Sequence, residues 1–452
     1  MTHVAVLDIG KTNAKLALVD PQRGVELAVL TRPNRVLPGP PYPHYDTEGL
    51  WQFMLQGLAA LHLAHGIEAI SVTTHGASVA LLDAGGGLAT PILDYEHDGP
   101  DSLAAAYAAL RPPFTETGSA PMPQGLNLGA QLHWLMAQDA SLRDRVAHVV
   151  TYPGYWVHRL TGQLGSDLCS LGCHTDLWNP WQGCYSSLVE TLGLPQKMAP
   201  AVRPSARAGR LLADVAASTG LPADTPVVFG IHDSNASLLP HLRARSGAFA
   251  VVSTGTWVVC MAVGGGQVLL DPARDTLVNV NAFGQPTPSA KFMGGRAYEV
   301  LMAGHPAEAS PADEAQVLAQ GIGYLPSAVP GSGPWPDRQG AWWRAEPTGG
   351  ARVVAVGHYL AMVAAECLAM IGAQGPTVVE GPFARNPWFL RMLASATGRE
   401  VVPSASQTGT AIGAALLTVS PVEGADVPQS EGRFAPEAPL AAHFARWRQA
   451  IG

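Results

Sequence analysis

Charge is scarce in this sequence. Only 14% of its 452 residues are Asp, Glu, Lys or Arg, and their balance leaves a formal net charge of −8. A broad nucleic-acid surface needs a basic face, so that function class is disfavoured. A phosphate ligand is not excluded, because backbone dipoles alone can hold one. Cysteine is sparse too. Five thiols, an odd number, suit a reduced protein rather than a disulfide framework. Cys169, Cys173, His174 and Cys184 lie near one another but lack the paired Cys-x-x-Cys spacing of structural zinc sites. The most apolar helical stretch, Val353 to Ile371, is interrupted by His358 and Glu366 and reads as a buried helix, not a membrane span. Residues 1–3 run straight into an apolar strand, so no signal peptide is expected and the location expected is cytoplasmic. What is present is a 47% hydrophobic composition, enough for two or more domains with substantial cores.

The first strand leads into Gly10-Lys11-Thr12, the tripeptide that ends a P-loop. A P-loop also needs a glycine five residues before its Gly-Lys pair, and that position is Ala5, inside an apolar run. The residues that follow, Ala14 to Val19, alternate as a strand does, whereas a P-loop leads into a helix. The stretch is therefore predicted to be a β-hairpin, with Asp8 at the end of the first strand and Gly10 to Asn13 in the turn.

A second copy of this pattern lies far along the chain. Val4-Ala-Val-Leu-Asp-Ile-Gly-Lys-Thr12 aligns with Phe249-Ala-Val-Val-Ser-Thr-Gly-Thr-Trp257, and Ala, Val and Gly coincide. Two similar halves, each opening on a strand and a glycine turn, are implied. Between the two copies helical and strand patterns alternate: a helix over Leu50–His65, a strand over Ala69–Thr73, helices over Gln131–Ala137 and Tyr155–Leu160, and a buried strand over Pro226–Gly230. The second half continues with a helix over Val353–Ile371 and a strand at Thr377–Val379. A helix over Trp388–Thr397, a strand at Val401–Val402 and a small-residue helix from Gly409 to Leu417 complete it. A boundary near His241 to Gly247 gives two α/β domains, 1–243 and 244–452, with a cleft between them as the expected ligand site.

Phosphoryl transfer asks chiefly for positioning and charge stabilisation, plus one carboxylate to take the acceptor proton. Two glycine turns could supply amides to phosphate oxygens, and Asp8 could hold Mg²⁺, through water. Gly230-Ile-His-Asp233 places a His-Asp pair at a strand end, where Asp233 is either a helix N-cap or a base. His75, in the Thr74-His75-Gly76 stretch that follows the strand over Ala69–Thr73, fits a structural role as well as a ligand role.

These residues together resemble the FGGY carbohydrate kinases of the actin/hexokinase superfamily. Asp8-Ile-Gly-Lys-Thr-Asn-Ala-Lys15 matches the family's first phosphate motif except that Lys11 replaces threonine. Gly230 to Asp233 matches Gly-x-His-Asp, and Ser253 to Trp257 matches the second phosphate motif. Glu380-Gly-Pro-Phe-Ala-Arg-Asn386 is similar to the adenosine segment, with Pro382 where a second glycine is usual. Thr410 to Ala415 fits the closing helix. The matches are collinear from residue 4 to about 417. The sequences Thr73-Thr-His-Gly76, Asn279 and Lys291-Phe-Met-Gly294 look closest to kinases of L-rhamnulose and L-fuculose, although His75 and Ser78 depart from the aromatic and Asp common there.

The resemblance implies an α/β fold of two actin/hexokinase-like (ribonuclease H-like) domains flanking an active-site cleft, with ATP and Mg²⁺ as cofactors. It implies that Asp233 is the catalytic base and Asp8 the metal residue. Gly10, Lys11, Thr12, Asn13, Lys15, Thr254, Gly255, Thr256, Gly381 and Asn386 are implied at the nucleotide. His75, Gly76, His232, Asp233 and Trp257 are implied at the sugar. The partner implied is a small-molecule sugar, with no nucleic acid and no membrane, and the assembly to test is a homodimer. Two other readings stay open: an ATPase of the same superfamily without a sugar substrate, and a catalytically silent sugar-binding regulator. Pro382, which has no N–H to donate, bears on the second.

Overall fold

A computed structural model describes residues 3–404, 409–420 and 432–452. The chain divides into two compact units. The first holds everything up to Ala244 together with two later stretches, 278–286 and one that includes residues 409–420. The remainder forms the second. The sequence, divided above into 1–243 and 244–452, carries no sign of the two returns.

The first unit opens with β1 (Val4–Ile9), β2 (Asn13–Asp20) and β3 (Val25–Pro33), an antiparallel meander. Every residue of β1 is buried, which is why it reads as a continuous apolar run rather than an alternation. Helix α1 (Thr47–His65) begins at Asp46, whose carboxylate accepts from the Gly49 amide, and lays Leu50, Trp51, Met54 and Leu58 into the core. The chain then enters β4 (Ala69–Thr74), parallel to β1, with Asp8 beside Thr73. Helix α2 (Tyr152–Thr161) adds Tyr152, Tyr155, Trp156 and Leu160 to the same core.

After β5 (Arg207–Gly209), the buried strand expected over Pro226–Gly230 is found as two short pieces, β6 (Val227–Val228) and β7 (Ile231–His232). Both pair with β4, and the interruption falls at Gly230, whose φ of 80° no extended strand tolerates. The sheet runs β5-β6-β4-β1-β2-β3, with β7 beside β4, and α3 (Asp233–Ala244) leaves directly from β7.

The second unit repeats this plan. Strands β8 (Phe249–Thr254) and β9 (Val258–Val263) form a hairpin, β10 (Pro286–Phe292) continues it antiparallel, and β11 (Thr377–Glu380) lies parallel to β8 as β4 does to β1. Helix α4 (Gly349–Met370) is the one helix, among the described residues, long and apolar enough to cross a membrane, and 83% of its apolar window is buried in this unit's core. Helix α5 (Pro387–Thr397) leads to β12 (Val401–Pro403), which pairs with β11. The chain then returns to the first unit as α6 (Thr410–Leu416).

Candidate active site

In the first unit the strand ends gather the polar residues. Asp8 is the penultimate residue of β1 and sits across from Lys15 of β2. Its Oδ2 accepts a hydrogen bond from the Thr410 hydroxyl of α6 and lies 3.7 Å from Lys15 Nζ, which in turn holds Glu26 at 2.8 Å. Burial pushes the Asp8 carboxyl above its ordinary value; Thr410 and Lys15 pull it down, and the charge of Asp233 pushes the same way as burial. The Gly10 amide donates to Asn13 O (3.0 Å), and Asn34 ties the turn from below through Gly10 O (2.8 Å) and Thr12 O (2.9 Å). The amides of Lys11 and Thr12 have no partner among the described residues, the state a phosphate-binding turn requires.

Asp233 is the first residue of α3. Its Oδ1 accepts from the Ser234 amide at 2.6 Å and faces His232 Nε2 at 3.1 Å. The Asn235 amide lies 3.3 Å from His232 Nδ1. With the Asn235 NH₂ donating there, the His232 proton sits on Nε2, toward Asp233. Burial holds His232 down at about 4, so the ring is neutral at pH 7. His75 is likewise held at about 4 by burial. Its Nδ1 donates to Gly76 O at 2.8 Å, while its Nε2 is buried without a partner. The Asp233 carboxyl is raised by burial, against weaker opposing effects of His75 and the Ser234 hydrogen bonds. No cation forms an ion pair with it among the described residues. A carboxylate of this kind, a third of its side-chain surface still accessible (32%), is poised to accept a proton.

Two of the residues expected at the nucleotide, Lys11 and Lys15, have their side chains engaged within the first unit. Lys15 bridges Asp8 and Glu26. Asn13 opens β2. Lys11 is directed to Asp94 and to Glu96 Oε2 (3.3 Å), with its ammonium 4.7 Å from the Tyr95 ring centroid and 5.3 Å from that of Tyr45. Neither Asp94 nor Thr410 was singled out for a role from the sequence. The first lies 83 residues from its partner and the second 402 residues from its own. A polar run, Asp94-Tyr-Glu-His97, after an apolar stretch was the available signal. Cys173 is buried with its Sγ 3.7 Å from His232 Nε2. Among the described residues no group of three His, Cys, Asp or Glu side chains is arranged to hold a metal ion.

In the second unit, the Gly255-Thr256 turn is tighter than the first: the Gly255 amide donates to Trp257 O, two residues on, at 3.0 Å. The Thr254 hydroxyl is committed to structure, donating to Glu380 O and accepting from the Phe383 amide at 3.1 Å. It thereby fastens the β8 turn to the segment after β11. Gly381 and Pro382 follow β11, and the Asn386 side-chain Oδ1 caps α5 by accepting from the amides of Trp388 (3.0 Å) and Phe389 (3.2 Å). Between these turns lies a recess of about 450 Å³ lined by Gly255, Thr256, Tyr298, Pro382, Phe383 and Asn386. Trp257, 39% exposed, carries the Lys291 ammonium 4.8 Å from its ring centroid.

Comparison with known proteins agrees with this arrangement. The family described as "FGGY family of carbohydrate kinases, N-terminal domain" matches residues 3–240, and "Carbohydrate kinase FGGY, C-terminal domain" matches 246–427. An L-fuculokinase of Salmonella typhi is 28% identical over 276 residues, 59% of this chain. The match spans 57% of that relative's length. A carbohydrate kinase structure from Novosphingobium aromaticivorans is 35% identical, with a TM-score of 0.92, over 99% of this chain and 100% of that one. A xylulose kinase structure from Lactobacillus acidophilus, 15% identical, covers 100% of this chain and 97% of its own with a TM-score of 0.80, and so shares the two-domain actin/hexokinase-like fold. With both family domains matched in order along nearly its whole length, the chain belongs to the FGGY family of carbohydrate kinases.

Proposed function

We propose that the protein transfers the γ-phosphoryl group of ATP to a terminal hydroxyl of a ketose or related sugar, giving ADP and a ketose 1- or 5-phosphate. The observation that carries this reading is the Asp233 carboxylate at the start of α3, 3.1 Å from the neutral His232 ring and raised by burial. Asp233 takes the hydroxyl proton as the sugar oxygen attacks phosphorus. His232 Nε2–H orients the carboxylate, and His75 and Gly76 contact the sugar. In the second unit the recess lined by Gly255, Thr256, Pro382 and Asn386 is of a size suited to a nucleoside, with Gly381 next to Pro382 and Trp257 on the sugar. The turns at Gly10–Thr12 and Gly255–Thr256 present amides to phosphate oxygens.

Asp8 fits Mg²⁺ held mainly by phosphates and water, since it is a single carboxylate whose burden of negative charge includes that of Asp233. When bound, the ion supplies charge neutralisation between the β- and γ-phosphates. The division of labour follows the two domains. Kinship with an L-fuculokinase supports a deoxy-ketohexose as the first acceptor to try.

ADP release measured across a panel of ketoses and polyols tests the reading. Turnover only with a sugar supports it; sugar-independent turnover points to an ATPase, and sugar binding without turnover to a regulator. Asp233→Ala is expected to lose more than about a hundredfold in rate while remaining folded. Near-normal activity in that variant removes Asp233 as the base.

A further inference from the structure

Lys11 stands where the family motif has threonine, in a turn whose amides suit phosphate, so a cation there would ordinarily be assigned to the triphosphate. Its surroundings argue otherwise. The ammonium contacts Asp94 Oδ1 and lies 3.3 Å from Glu96 Oε2, so one cation already serves two carboxylates. Asp94 is only 7% exposed. Its Oδ1 also accepts from the Tyr45 hydroxyl (3.2 Å) and the Glu96 amide (3.2 Å), whereas its Oδ2 has no partner among the described residues. One carboxylate oxygen is thus fully engaged and the other is held in a fixed position.

The rings that flank Lys11 also flank His75. The Tyr45 centroid is 5.1 Å and the Tyr95 centroid 5.3 Å from that of the imidazole. His75 Nε2, buried and without a partner, is a second hydrogen-bond acceptor in this aromatic enclosure. Asp233 acts electrostatically on the same His75 ring, which ties the enclosure to the proton-accepting carboxylate. Asp94 Oδ2 and His75 Nε2 are acceptors, the buried Tyr152 hydroxyl beside His75 can donate or accept, and the one cation among them is neutralised. Such a set complements hydroxyl donors and repels a carboxylate or phosphate on the ligand.

We propose that Lys11 is a positioning residue for the acceptor rather than a triphosphate ligand: it anchors Asp94 through Oδ1 so that Oδ2 receives a sugar hydroxyl, and it selects an uncharged polyhydroxyl acceptor over a sugar acid or sugar phosphate. This rests on the kinase reading above.

The test compares wild type, Lys11→Met, Lys11→Arg and Asp94→Asn, each checked by thermal unfolding. Steady-state ADP release is measured with the best neutral ketose from the panel and with the aldonate of the same carbon number. Calorimetry measures binding of each acceptor and of a non-hydrolysable ATP analogue. For Lys11→Met and Asp94→Asn the KM of the ketose should rise about tenfold or more, with the KM of ATP and the analogue's affinity changed by less than about twofold. Lys11→Arg should retain most of the ketose affinity, and wild type should bind the ketose but not the aldonate. Weakened ATP-analogue binding in Lys11→Met with ketose binding unchanged overturns the proposal, as does wild-type affinity for the aldonate equal to that for the ketose. If wild type turns over no acceptor the kinase reading fails by itself, and the calorimetric comparison still decides the role of Lys11. Should Lys11→Met fail to fold, the Asp94→Asn split decides it.

Discussion

Gly413 offers a sharp test of how the first unit is packed. It lies in the middle of α6, and a methyl group built there would sit 1.8 Å from Ala236 O and 2.6 Å from its carbonyl carbon, on α3. In an exposed helix, replacing glycine by alanine is worth about 1 kcal/mol of stability. Here the new carbon falls roughly 1.5 Å short of ordinary van der Waals contact, against backbone that cannot rotate away. The helix cannot slide aside freely, because Ser71 of β4 donates to Ala414 O at 2.8 Å. Overpacking costs about 1–3 kcal/mol, and an approach this close to backbone belongs at the upper end, so after the propensity gain Gly413→Ala should still lose about 2 kcal/mol, or about 4–8 °C in the transition of the first unit. The functional effect should be larger. Ala236 is three residues from Asp233 on α3, and Gly413 is three residues from Thr410, the partner of Asp8. Separating α3 from α6 displaces the Asp233 carboxylate and draws the Thr410 hydroxyl away from Asp8, and a shift of about 1 Å can cost on the order of a hundredfold in kcat. Calorimetric unfolding and ADP release check the two effects. A variant with an unchanged or higher transition temperature and wild-type kcat would refute the close packing of these helices.

Three other outcomes are expected. Activity should fall with acid as the raised Asp233 carboxyl takes up a proton, so the acid limb of kcat/KM should lie above 3.8, the ordinary Asp value. Asp8 contributes to the same limb, and a limb at or below that value contradicts the burial argument. Thr254→Val leaves the Phe383 amide without its buried acceptor and should cost the second unit about 1–3 kcal/mol while raising the KM of ATP; unchanged thermal unfolding would count against the fastening role. Asp167 is fully buried, with its carboxyl raised to about 6. A raised carboxyl stabilises the fold in its protonated form, and that contribution fades as pH climbs through about 6, so Asp167→Asn should compare more favourably with wild type at pH 8 than at pH 5 in thermal unfolding.

The elements were legible where local pattern decides them. The β1–β2 and β8–β9 hairpins follow from apolar strands ending at a glycine turn, and α1, α4 and α5 from helical periodicity over eleven or more residues. The strand before Asp233 was only half legible, since Gly230 breaks the ladder at a point that hydropathy cannot register. Asp233 and His232 were legible as a pair because they are adjacent in sequence. The partners of Lys11 and Asp8 were not, because pairing across 83 and 402 residues is set by sheet order and helix packing rather than by any local spacing. For the same reason the Thr254 hydroxyl, assigned to phosphate from the motif alone, is found holding two loops together.

The return of α6 to the first unit has a consequence for how the protein is made. The strands and helices that carry Asp8 and Asp233 are all synthesised by residue 244, yet the helix that covers β4 and holds Asp8 is made only after most of the second unit has emerged. Until then Ser71 lacks the Ala414 carbonyl, α3 lacks its closest neighbour, and Asp8 lacks its hydroxyl donor. The nascent first half therefore cannot reach its final packing in order of synthesis, and a fragment ending at Ala244 should be a poor guide to the behaviour of the whole chain.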